Sequence, residues 1–385
     1  MRRTVGLLLA GVLLTGCATQ GEGRAVEDAA VPHGYVEGAE ETAEPQLRLV
    51  MSDGDARASV YDLVTGEATE VAAGGVREVE GDGRYAFVTT AEGALRVIDS
   101  GGWTVDHGDH VHYYRAAARD LGTVAGRPPY EVTGDVAITA VRSGDGTVTL
   151  FDRARMDKGE LAGTGVRFEA DAVVPYGERL LAAQDDTVQV RARTGEPGST
   201  VGRCEDPAGT AVTRRGALFG CADGALLVTE KDGAFDGVKI RYPGETPEAG
   251  RAREFRHRPG SATLAAKAGD AGVWVLDVTG RTWRLLKTGP VVAVNATGDD
   301  TPVLSLTQDG VLHAHDPRTG KRTARTKLLT GPAAGSEGIR VDTARAYVND
   351  PAREVVHEID YNDGLRRART LKPGLTPAHM TETGR

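Results

Sequence analysis

Histidine, cysteine and aromatic side chains are all scarce. The 385-residue chain holds nine histidines, three cysteines and 5% aromatic residues. With so few aromatics, a core has to be built from Val, Leu, Ala and Ile. No window carries a long 3.6-residue apolar period, apart from a weak amphipathic hint at Ala116 to Leu121, which excludes a helical fold. Positive charge is in deficit: 46 Lys and Arg stand against 55 Asp and Glu, a formal net charge of −9. That balance argues against nucleic acid and anionic membrane surfaces as partners, and it suits a cation. There is no G-x-S-x-G nucleophile elbow, no phosphate-cradling glycine loop after a strand and no helical H-E-x-x-H pair. The chain is therefore read as a binding protein and not as an enzyme.

The start of the chain reads "MRRTVGLLLAGVLLTGC". Arg2 and Arg3 precede an apolar run from Val5 to Leu14, about half of the ~20 residues that a spanning helix needs. This is a secretory signal over residues 1–16. Cys17 directly follows a small residue, as in the lipobox of bacterial lipoproteins, which implies cleavage before Cys17 and lipidation of its thiol; an ordinary signal peptide with a chance cysteine is the alternative. Acyl chains contribute ~0.8 kcal/mol per buried methylene, so the lipid is the sole membrane contact expected, on the outer face of the cytoplasmic membrane. Residues 17–46, including "EDAAVPHGYVEGAEETAEP" and His33, read as a flexible acidic tether. Export leaves Cys204 and Cys221 in an oxidising compartment, where a pair bridges; a soft-metal pair is the minor reading.

From residue 47 onward the sequence repeats. Short alternating strands recur at intervals of roughly 35 to 55 residues. The series runs "ASVYDLVTGE", "ALRVIDSGGW", "GTVTLFDRAR", "DTVQVRARTGE", "GALLVTEKDG", "GVWVLDVTGR", "GVLHAHDPRTGK" and "EVVHEIDYNDG". Most copies follow another apolar strand, and Asp-Gly and Thr-Gly turns link them. Such units predict an all-β chain of four-stranded antiparallel blades, a β-propeller over residues 47–385, because one small sheet cannot cover both of its faces alone. Eight blades are expected and seven is the alternative. "TPAHMTE" near the C-terminus is placed to complete the first unit and close the ring. The expected state is a monomer.

Against this background "VDHGDHVHYY" (105–114) stands out, with three of the nine histidines inside six residues. His107, His110 and His112, with Asp106 and Asp109, supply imidazole and carboxylate ligands in one short loop, and little loop entropy is lost in gathering them. Such donors suit zinc and also take copper or nickel. A solvated polar loop is the bland alternative. "GWTVDHG" is expected to be the outer strand of the second blade, leading into a long irregular connection on one face of the disc.

"GWTVDHGDHVHYY", "LGTVAG", "FGCADGALLV" and "YVNDPA…EVVHEID" resemble the AztD-type metallochaperones, over about residues 47–375. That resemblance implies an exported β-propeller that binds zinc and passes it to the solute-binding protein of a zinc ABC importer, with His107, His110, His112 and Asp106 or Asp109 in zinc capture. The chain departs from the pattern at the strand ends that face the middle of the ring. "PPYEVTGD", "ADAVVPYGE" and "CEDPAGTAV" hold no histidine, and His257 is the one candidate survivor. A cell-surface interaction scaffold that has lost metal binding is therefore the alternative function. His313, His315, His357 and His379 are read as strand residues, and the acidic run near residue 40 as solvating.

Overall fold

A computed structural model describes residues 35–71, 74–107, 110–246, 250–333 and 335–385. The signal segment, Cys17, His33 and the first part of the tether lie outside the described residues, as does Asp109. Among the described residues no helix is long and apolar enough to cross a membrane.

The chain is a β-propeller. Among the described residues it forms nine antiparallel sheets, seven of four strands and two of three. One three-stranded sheet is an insertion; the other eight sheets follow one another along the chain. Each of the eight repeated segments supplies a separate one of these sheets, for example Ala58–Asp62, Leu95–Asp99, Thr147–Asp152 and Val355–Asp360. The turns explain themselves. In "YDLVTG" the Asp62 carboxylate accepts the amides of Val64 and Thr65 at 2.8 and 2.9 Å, and Gly66 takes φ +77°. "HDPRTG" repeats the device, with Asp316 accepting from Arg318 and Thr319 and Gly320 at φ +76°.

The ring closes through its ends. His379–Thr383 pairs antiparallel with Arg48–Ser52 in register from Arg48↔Thr383 to Ser52↔His379, and so completes the sheet of Ala58–Asp62 and Ala68–Val71. Only one of these eight sheets has three strands, Thr263–Lys267, Val273–Asp277 and Thr282–Leu286. Before it, "FRHRPG" makes isolated bridges from Arg256 to Ala265 and from His257 to Ala296; Pro259 lacks the amide that a longer ladder would use.

The apolar core is distributed between neighbouring sheets. One cluster joins Val174, Leu181 and Val188 of one sheet to Phe219, Leu226 and Val228 of the next. At ~1.5–3 kcal/mol for each fully buried Val or Leu, these seams hold the ring. Cys204 and Cys221, both fully buried, form a disulfide across the same seam, with Cα atoms 5.0 Å apart and a separation of 17 positions in sequence.

Two expectations are corrected. Residues 102–106 are not the outer strand of the second sheet. That strand is Arg119–Val124, paired with Leu95–Asp99, and Gly102–Asp106 and Val111–Arg115 form an inserted hairpin. Gly101 and Gly102 permit the excursion. A Cβ at Gly101 would strike the Ala116 carbonyl and one at Gly102 the Gln46 carbonyl, where the incoming and outgoing chains pass. The folded part also starts before Leu47: Glu40–Thr42 is a strand on the inserted hairpin and Gln46 is buried.

Candidate metal centre

The inserted sheet has Val111–Arg115 in the middle, Gly102–Asp106 on one side and Glu40–Thr42 on the other. Alternation puts Trp103, Val105, His112, Tyr114 and Glu41 on one face, because Trp103 pairs with Tyr114, Val105 with His112 and Glu41 with Tyr114. The face is graded from root to tip. At the root Trp103 is 5% and Tyr114 0% exposed, and their rings stack at 5.4 Å. The Arg84 guanidinium lies 3.8 Å from the Trp103 ring centroid. Next comes His112, stacked 6.2 Å from Tyr114. At the tip the His107 amide donates to the His110 carbonyl at 3.0 Å and closes the hairpin.

This turn brings the three imidazoles together. Ring centroids are 4.8 Å (His107–His110), 5.0 Å (His110–His112) and 5.4 Å (His107–His112) apart, and one nitrogen from each lies within 4.8 Å of the others. Around a tetrahedral zinc with Zn–N of ~2.0–2.1 Å, ligand nitrogens stand about 3.4 Å apart. His107 and His110 are exposed and His112 is half-buried, and rotation about the side-chain torsions is the motion available to draw such rings together. Among the described residues the group supplies three nitrogens, the ligand number of open zinc sites whose fourth position takes water or an incoming ligand.

A residue that the local sequence did not suggest completes the arrangement. Glu41 Oε1 accepts from His112 Nδ1 at 2.7 Å. A carboxylate in that position holds the ring in the tautomer whose Nε2 carries the lone pair. Glu40, from the same strand as Glu41, pairs with Arg115 of the neighbouring strand at 2.8 and 2.9 Å. These two carboxylates of the acidic run are thus engaged across a β-ladder. Asp106 ends the strand Gly102–Asp106, exposed, and is not in the three-histidine group.

Elsewhere His257, His313, His315 and His357 have partners within the fold. His357 is fully buried, with Nε2 3.1 Å from Asp350 Oδ2. His313 and His315 share a face with ring centroids 6.1 Å apart; Nε2 of each lies 3.4 Å from a hydroxyl, Thr307 and Ser305 respectively. His257 meets the Val212 carbonyl at 3.1 Å, and burial pushes it down to about 4, so it is neutral at pH 7. No described group of three ligating residues contains any of these.

The middle of the ring holds mostly charge, and His379 at the start of the closing strand is the one histidine among the residues that line it. A cavity of about 810 Å³ is lined by first strands, including Val76–Gly81, Val291–Ala296 and Ile339–Val341. Glu80 takes two hydrogen bonds from Arg256 at 2.7 and 3.0 Å, and Arg340 stands 3.7 Å from the same carboxylate. Burial alone would raise the Glu80 carboxyl; Arg256 and Arg340 outweigh it and hold the group at about 2.

No family model matches the chain, and no curated protein matches it in sequence. Among solved structures it is similar to AztD from Citrobacter koseri, seen in a crystal structure and in an apo structure. Each gives a TM-score of 0.74 at 19% identity, covering 88% of this chain and 98% of AztD. A computationally designed protein, Ika8, gives a TM-score of 0.52 at 15% identity, covering 80% of this chain and 91% of that one. The chain has the AztD-type β-propeller fold.

Proposed function

We propose that the protein is an extracytoplasmic zinc carrier. It is tethered to the outer face of the cytoplasmic membrane through a lipid on Cys17, and it takes up zinc at His107, His110 and His112. It passes the ion to the solute-binding protein of an ABC importer and catalyses no reaction. The observation that carries this reading is the convergence of three imidazoles at one hairpin tip, one of them oriented by a carboxylate. The AztD-type fold and the resemblance of "DHGDHVHYY" to those metallochaperones support the same assignment.

The site's exposure favours a carrier over a structural zinc. A structural site surrounds its ion with four protein ligands, whereas the three ligands gathered among the described residues at a solvent-facing tip would leave an ion open to attack by a receiving ligand. The channel interior, salt-bridged through Glu80, takes no part in this reading.

Calorimetric titration of the soluble chain from Ala18 onward tests it. The expected result is one zinc per chain, displaced by a competing chelator. A stably folded chain that binds no zinc overturns the carrier reading and leaves the interaction scaffold.

A further inference from the structure

Resting on that reading of the hairpin as a zinc site, we infer that zinc occupancy and seating of the N-terminal strand Glu40–Thr42 are one coupled equilibrium, with Glu41 as the positioning residue that links them.

The strand is lightly held. It is three residues long, lies at the edge of the inserted sheet, and among the described residues pairs with Val111–Arg115 alone. Glu40 and Glu41 are exposed and Thr42 is half-buried. Besides the ladder, Thr42 Oγ1 donates to the Tyr113 carbonyl at 3.3 Å and Glu40 pairs with Arg115 in solvent. Exposed ion pairs contribute little, so seating of such a strand is close to balanced against its ordering entropy. A modest added interaction then shifts its population.

Glu41 supplies that interaction. Its contact with His112 joins residues 71 apart in sequence, and the contact exists only while the strand is paired. A metal on His112 Nε2 polarises the ring and strengthens the Nδ1–H bond to a carboxylate. The seated carboxylate in turn makes His112 a better ligand. Linkage requires the two effects to be the same factor: whatever zinc adds to strand seating, strand seating adds to zinc affinity. An extended segment that took the strand's place on Val111–Arg115 without a carboxylate at this register would release zinc.

The test uses the full chain, with zinc alone as the probe. Amide hydrogen exchange over residues 40–42 is measured with and without zinc, and zinc affinity by chelator competition, for wild type, Glu41→Gln, Glu41→Asp and Glu40→Gln. The expected pattern is slower exchange of the strand in wild type with zinc and about a tenfold weaker zinc site in Glu41→Gln. Partial recovery is expected in Glu41→Asp. Glu40→Gln removes an exposed ion pair of the same strand that does not touch a histidine, and because such a pair contributes little to seating it lowers zinc affinity by less than about twofold. Zinc binding of equal strength in wild type and Glu41→Gln, with strand exchange insensitive to zinc, overturns the coupling and leaves the carrier reading intact. Equal losses in Glu41→Gln and Glu40→Gln reduce Glu41 to a strand-pairing role and also overturn it. Absence of zinc binding in wild type overturns both.

Discussion

Replacing His110 and His112 by alanine lowers zinc affinity by about 100-fold or more, because two of three ligand nitrogens are removed and the loss of a group that merely orients a ligand already costs about 10–100-fold. His107 then remains without the two partners now within 5.4 Å of its ring. The propeller itself does not depend on these side chains, although His112→Ala also removes the contact with Glu41. His110 is exposed and His112 half-buried, and the root of the hairpin is held by Trp103 and Tyr114. Surface substitutions of this kind shift stability by about ±0.5 kcal/mol. Chelator competition and thermal unfolding on the same samples separate the two effects. Unchanged affinity in the double variant, with an unchanged melting curve, contradicts the assignment of the site.

Asp99→Ala destabilises the protein by ~3–5 kcal/mol, the cost of breaking a buried ion pair on one side. Asp99 is fully buried and accepts from Arg84 at 3.1 and 2.9 Å, from Arg119 at 2.7 Å and from the Gly101 amide at 3.0 Å. Burial alone would raise its carboxyl; the Arg84 and Arg119 hydrogen bonds and the Gly101 amide outweigh burial and hold it below the usual carboxylate range. A depressed folded-state value means stability that is present above the unfolded carboxylate value of about 3.9 and is lost as pH falls through the folded one. The gap between wild type and Asp99→Ala therefore narrows in strong acid. The residue also roots the metal hairpin, because Arg84 joins Asp99 to the Trp103 ring. Urea unfolding at pH 7 and below pH 4 measures both effects. A loss under 1 kcal/mol at pH 7 contradicts the role given to this network.

Both predictions rest on residues that differ in how visible they were in the sequence. The blades were legible because six of the eight repeated segments carry an alternating pattern ending in Asp-Gly or Thr-Gly, the mark of a tight hairpin, whereas "ALRVIDSGGW" leads into the inserted hairpin and "GTVTLFDRAR" into the short helix Arg153–Asp157. The closing strand was legible because the first unit lacked a partner and "TPAHMTE" had no other place. Clustering of His107, His110 and His112 was legible because six residues around a glycine bring side chains together by local geometry alone. Long-range pairing was not. The Ala116–Leu121 segment carries a helical hint, yet its second half belongs to the strand Arg119–Val124, because the edge of Leu95–Asp99 overrides local propensity. Glu41 sits in an acidic run whose composition reads as tether, and nothing local marks three of its residues as a strand for a hairpin about 70 positions away. The charge in the channel was likewise hidden, since Glu80, Arg256 and Arg340 meet only when the ring is closed.

The most direct test is a zinc-edge anomalous difference map from crystals grown with one equivalent of zinc. The account predicts a single peak at the tip of the hairpin, ~2.0–2.1 Å from one nitrogen each of His107, His110 and His112. A peak within the central channel, or at any other residues with none at the hairpin, contradicts it.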